Sequence, residues 1–228
     1  MIEDKKEFYG GFALLVGFFV VLGIIFSPVF EGKNILNYLD SLYNSISKGS
    51  AYYIPKLKKE VDSYNGNSIS ITFIVKDQQQ AEKTALLFTK GGAAANVSGS
   101  EISISGDLKK IMENCLEDSD NMFNNNGNTV SEKYAYPEKE VMYNWWSAMK
   151  LMDKELGKQE KFKEMKLIAS VMKKGVECSY NYYKIIPKKI VEKAGIVVFS
   201  LVFYVIYTIW YGFAILFMFE GWGLKLQH

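Results

Sequence analysis

The residues able to carry catalysis or hold a metal are few in this chain of 228 residues. Its one histidine, His228, is the last residue, and its two cysteines, Cys115 and Cys178, lie 63 positions apart. All 27 basic residues are lysine. Histidine is the usual general base near neutral pH and the commonest metal ligand. Haem needs an axial ligand and iron–sulfur clusters need several cysteines. Base readout and bidentate phosphate clamps lean on arginine. The sequence therefore speaks against haem, iron–sulfur, zinc and nucleic-acid chemistry. It contains no Gly-rich phosphate loop, and no paired-carboxylate spacing stands out. No catalytic residue, metal ligand or cofactor is assigned, and the chain is expected not to be an enzyme.

Four groups remain as candidates. Glu117-Asp118-Ser119-Asp120-Asn121 invites a calcium reading, but Met122 and Phe123 stand where an EF-hand loop needs Asp or Asn and then Gly, so the run reads as a solvated helix end. Trp145 and Trp146 point about 100° apart on a helix, so burying both takes a wide contact. One suits a core and the pair suits a partner surface. Ser200, Tyr204, Tyr207, Thr208 and Tyr211 fall within about 100° of one another around a helix. Ala13 and Gly17 are small residues four apart, a spacing that lets helices approach closely in lipid. The partner-binding set is thus Ser200, Tyr204, Tyr207, Tyr211, Ala13, Gly17, Trp145 and Trp146. Cys115 falls on an apolar helix face and reads as an inert hydrophobe; whether it pairs with Cys178 stays open.

The elements that position these residues follow from charge and periodicity. No charge occurs from Phe8 to Phe30, a run of 23, or from Ala194 to Phe219, a run of 26. A bilayer core of roughly 30 Å needs ~20 helical residues, so both runs are expected to span it. The first exceeds a signal-peptide core and is followed by no A-x-A-like site, so it reads as an uncleaved anchor. Between the runs, Ile35, Leu39, Leu42 and Ile46 recur at helical spacing, and Pro55 suits the first turn of a second helix. Ser68–Val75 reads as a strand. Asp77 with Gln80 reads as a capping box, and Ser98-Gly99-Ser100 as a hairpin turn. Asp107 caps a helix with Leu108, Ile111, Met112, Cys115 and Leu116 on one face. Asn124–Asn128 reads as a loop. Val141, Trp145, Met149, Met152 and Leu156 form one stripe, and Phe162, Met165, Ala169, Met172 and Val176 a second.

The expected fold class is α+β: two transmembrane helices enclosing a small βαββα domain with additional long amphipathic helices. The segments are a tail at 1–7, a transmembrane helix at 8–30, an amphipathic segment at 31–66, the βαββα unit at 67–123, a loop at 124–136, and a long amphipathic helix or helical pair at 137–186. A second transmembrane helix with an interfacial lead-in covers 187–219, and a tail covers 220–228. Tyr180, Tyr182 and Tyr183 with Lys188, Lys189 and Lys193 suit a lipid-headgroup zone. Lysines before the second helix pull the domain inward, but long domains cross largely regardless of charge. The expected location is the cell (inner) membrane, with the domain extracytoplasmic. No Asp, Glu, Lys or His lies within either run, so an ion path through this chain is not expected. The expected role is a non-catalytic accessory or scaffold subunit partnering other membrane subunits or its own copies. A membrane-anchored sensor or solute-binding module is the alternative.

Overall fold

A computed structural model of the chain describes residues 2–29, 32–64 and 68–224. The breaks expected around 30–31 and 65–67, and the tail residues 225–228 with His228, lie outside the described residues. The chain is helix-dominant with one small sheet, and it divides into two compact units: residues 1–49 with 187–228, and residues 50–186.

The first unit is built on two helices long and apolar enough to cross a membrane, α1 (Lys5–Phe26) and, at the end of the chain, α10 (Ile190–Gly221). The Asp4 carboxylate starts α1 by accepting from the Lys6 and Glu7 amides. The amides of Glu3 and Asp4 in turn donate to the Gly221 carbonyl, tying the start of α1 to the end of α10. At 32 residues, α10 is about 48 Å long at ~1.5 Å per residue, more than a bilayer core requires. The amphipathic helix α2 (Ile35–Ser50) begins where Asn34 accepts from the Asn37 amide. It runs beside the lead-in to α10: the Lys188 amide donates to Ser45 O at 3.0 Å, and the Tyr43 and Ser200 hydroxyls share a 2.7 Å hydrogen bond.

The second unit holds α3 (Ile54–Asp62), β1 (Ser68–Ile74), α4 (Gln78–Lys90), β2 (Ala94–Ser98), β3 (Glu101–Asp107) and α5 (Leu108–Phe123). The sheet order is β1-β3-β2, antiparallel throughout. Ile69, Ile71, Phe73, Ile102 and Ile104 alternate onto the buried face, and Ser and Thr fill the other. Ser98 pairs with Glu101 across a two-residue turn whose first position, Gly99, has φ +62°, which glycine adopts without steric cost.

The rest of this unit departs from the sequence expectations at three places. The segment expected as a loop holds a helix, α6 (Gly127–Tyr134), which buries Val130 and Tyr134. The asparagines before it act as connectors: Asn124 Nδ2 donates back to Asp120 O, and Asn125 accepts from the Lys184 amide and donates to Ile185 O. Helix α7 (Glu138–Lys158) carries the expected stripe, but after a break the stripe expected on α8 (Phe162–Val171) is displaced. Phe162 is exposed, and Leu167, Ile168 and Val171 are the buried positions. The helix then widens into a π-turn at Met172–Glu177 before α9 (Cys178–Tyr182). The misphasing lies before this turn, at Phe162 and Ala169, whereas Val176 inside it is buried as the stripe expects. Finally, the acidic run is not a solvated end. Asp118 and Ser119 are fully buried in the last turns of α5.

Candidate functional site

The two apolar helices meet along heptad-spaced seams. On α1 the inward residues are Phe8, Gly11, Leu15, Phe18, Leu22 and Ile25; on α10 they are Ile196, Ser200, Phe203, Tyr207, Trp210, Ala214, Phe217 and Gly221. Steps of three and four are the pattern of antiparallel knobs-into-holes packing. The backbones approach closely at Gly221, where a Cβ would strike Phe8 N, and at Gly11. A Cβ there would stand 2.7 Å from Met218 N and 2.8 Å from Ala214 O, so only glycine fits.

This packing divides the expected partner face. Tyr207 donates to Phe18 O at 3.0 Å and stacks on the Phe18 ring at 4.3 Å; Trp210 Nε1 donates to Leu14 O at 3.0 Å. Ser200 bonds Tyr43, and Gly17 lies under the Trp210 ring. These residues pack within the unit rather than facing outward. Ala13 is exposed on the other side of α1 and does not join the small-residue contact; Gly11, Ala214 and Gly221 do. Tyr204, 70% exposed, remains on the outer side with Thr208, whereas Tyr211, 43% exposed, lies at the edge of the seam with its ring 5.0 Å from that of Phe18. Thr208 bonds Tyr204 O on its own helix, whereas the Tyr204 hydroxyl has no hydrogen-bond partner among the described residues. The headgroup-zone lysines Lys188 and Lys189 are exposed at the α10 lead-in and Lys193 is half-buried.

The 50–186 unit buries a charge. Asp118, with no exposed side-chain surface, accepts from Lys133 Nζ at 2.8 Å, Tyr134 Oη at 2.6 Å and Trp145 Nε1 at 2.9 Å. Asn114 joins the set, accepting from Lys133 and donating to Tyr134 and Leu87 O. Burial pushes the Asp118 carboxyl above the ordinary Asp range, against the pull of these donors. It also pushes the Tyr134 hydroxyl and the Cys115 thiol upward. A buried thiol so disfavoured as thiolate is no nucleophile. Trp145 is therefore a core anchor, fully buried on Asp118 and 5.5 Å from the Phe88 ring, and cannot belong to a partner surface. The signal for this network was present in the sequence: positions 118 and 119 continue the apolar face of α5.

Trp146 stands apart from its neighbour. It is half-buried in a groove of about 360 Å³ between α7 and the π-turn with α9, lined by Met142, Tyr143, Trp146, Val176, Glu177, Tyr180 and Asn181. Its Nε1 donates to Glu177 Oε1 at 2.8 Å. Lys150 Nζ lies 4.3 Å from the Trp146 ring centroid, and Lys139 Nζ 5.4 Å from that of Tyr180. Nothing in the sequence spacing joins Trp146 to Glu177, because the π-turn sets which residue of 172–181 faces α7.

Elsewhere the geometry offers little chemistry. The Ser-x-x-Lys spacing of acyl-transfer enzymes occurs at Ser45/Lys48, Ser147/Lys150 and Ser170/Lys173, but two of these serine hydroxyls donate elsewhere. Ser45 donates to Ser41 O and Ser170 to Glu60. Cys115 and Cys178 are both free, and among the described residues no three His, Cys, Asp or Glu side chains converge. Comparison with family models, curated proteins and solved structures returns no match.

Proposed function

We propose that this chain is a non-catalytic accessory or scaffold subunit of a larger membrane complex, anchored by α1 and α10 as spanning helices. In this reading the 50–186 unit lies outside the cytoplasm of the cell membrane, and Lys188, Lys189 and Lys193 meet lipid headgroups. One observation carries it. Tyr204 sits near the middle of the uncharged run, turned away from the seam, with no hydrogen-bond partner for its hydroxyl among the described residues. A hydroxyl in hydrocarbon without a hydrogen bond costs on the order of a few kcal/mol, so a second polypeptide on this face is the economical occupant. Thr208 lies within about 60° of it around the helix, and the half-exposed Tyr211, packed on Phe18, borders the same face. The test is mild detergent extraction followed by native mass measurement of the wild type and of Tyr204→Leu. The wild type should carry stoichiometric partners or copies of itself, and the variant should lose them while still inserting. A free monomer from both ends this reading.

The Trp146 groove favours a second reading, a membrane-anchored solute-binding module. Concave, mostly apolar clefts with a few polar groups are the usual form of small-ligand sites.

A further inference from the structure

The groove between α7 and α9 contains one charge of its own, Glu177, and that charge is incompletely used. One carboxylate oxygen accepts from Trp146, and among the described residues no basic group lies within 4 Å of it. Around it stand three rings, Tyr143, Trp146 and Tyr180, of which Tyr143 and Tyr180 are exposed. Aromatic faces are electron-rich and attract cations, with Trp the strongest. Two of these rings already hold alkylammonium groups, Lys150 over Trp146 and Lys139 over Tyr180, but neither lysine completes the approach to Glu177. Met142 and Val176 supply an apolar floor for methylenes. The placement depends on the π-turn, a feature that recurs at functional sites because it re-aims side chains locally.

We infer that this groove binds an alkylammonium group on an apolar stem, the ammonium meeting Glu177 and the stem lying along Trp146 and Tyr180. This rests on the solute-binding reading and names its ligand class. Lys139 and Lys150, eleven residues or about 16 Å apart along α7, are the resident competitors at the two ends. The same chemistry is offered by a free polyamine and by a lysine side chain of another protein.

The test uses the full chain in neutral detergent micelles and follows the Trp146 indole N–H resonance, assigned with Trp146→Phe. Titration with n-butylammonium should shift it saturably. Glu177→Gln keeps an oxygen for the Trp146 N–H and removes only the charge; it should weaken binding about tenfold, the scale of one charge-assisted hydrogen bond. Lys150→Gln should leave affinity unchanged or raise it. A tighter 1,5-diaminopentane assigns the site to free polyamines; a tighter Nα-acetyl-lysine methylamide assigns it to a protein side chain. Equal binding in wild type and Glu177→Gln overturns the assignment. Hexanoate serves as the anionic control. If it alone shifts the resonance, and Lys150→Gln weakens it, the groove is a solute site and the ammonium assignment fails. If no probe moves the resonance, both fail.

Discussion

Each unit of this protein satisfies a buried or half-buried tyrosine–tryptophan pair, and the two do so in opposite ways. In the helix pair, Tyr207 and Trp210 donate to main-chain carbonyls of α1, Phe18 O and Leu14 O. In the 50–186 unit, Tyr134 and Trp145 converge on one carboxylate oxygen of Asp118, whose charge Lys133 balances. The first arrangement is neutral and keeps both donors paired inside an apolar stretch that bears no Asp, Glu, Lys or His. The second brings a charge into a packed core, where its desolvation must be offset by several donors at once. Loss of a hydroxyl in the helix pair should therefore be minor and independent of pH. Loss of the carboxylate should be severe and change the pH response.

The largest effect is expected from Asp118→Ala. It leaves the Lys133 ammonium and the Tyr134 and Trp145 donors without their shared acceptor, a change of the kind that costs about 3–5 kcal/mol. Urea unfolding of the full chain in micelles, followed by near-ultraviolet circular dichroism, should show that loss in the 50–186 unit. A loss under 1 kcal/mol would mean that the two tyrosine–tryptophan pairs do not differ in kind.

Overpacking the seam comes next. Gly11→Leu forces side-chain atoms into the space of Ala214 O and Met218 N, and insertion of methylenes into a full contact costs about 1–3 kcal/mol. A disulfide between engineered cysteines at Leu15 and Trp210 should form less readily in that background. Unchanged cross-linking would show that the seam does not depend on glycine.

The pH response sharpens the comparison further. Burial raises the Asp118 carboxyl pKa in the folded state. A raised folded pKa contributes stability that is fully present below the ordinary Asp value, about 3.9, and is lost as pH rises through the folded value. Wild type should thus lose stability relative to Asp118→Asn as pH rises from 4 upward. Measured by denaturant midpoints at several pH values, a gap constant with pH would refute a titrating Asp118.

The sequence exposed one of these two arrangements and concealed the other. The apolar runs, the Asp77 and Asp107 caps, the β1 alternation and the Gly99 turn are local signals, each readable from a few adjacent residues. The α10 seam was also readable, since Ser200, Phe203, Tyr207, Trp210, Ala214 and Gly221 step by three and four. Grouping by polarity joins Tyr207 and Ser200 to Tyr204, whereas the three–four stepping sets them on the seam. The α1 acceptors are main-chain carbonyls, which every helix carries, so no residue type marks them. The acidity of Asp118 reads as surface, although Leu108, Ile111, Cys115 and Met122 place it inward. The Trp146 groove had no local signal, because the π-turn fixes which face of residues 172–181 meets α7.

The smallest expected effect is also the most discriminating. Tyr207→Phe preserves the stacked ring on Phe18 and removes one hydrogen bond to a carbonyl that already accepts within its own helix. Interhelical hydrogen bonds in membranes average ~0.6 kcal/mol, so the α1–α10 pair should barely loosen, and equally at pH 5 and pH 8. Tyr204→Phe removes a hydroxyl with no partner among the described residues, so it should leave the pair unchanged and, on the scaffold proposal, weaken only association with other polypeptides. Cysteine cross-linking within the chain and co-purification of partners read the two effects separately. If Tyr207→Phe reduces co-purification as much as Tyr204→Phe does, the seam and the outer face act as one surface. The division of the tyrosines between an internal contact and a partner contact would then be wrong.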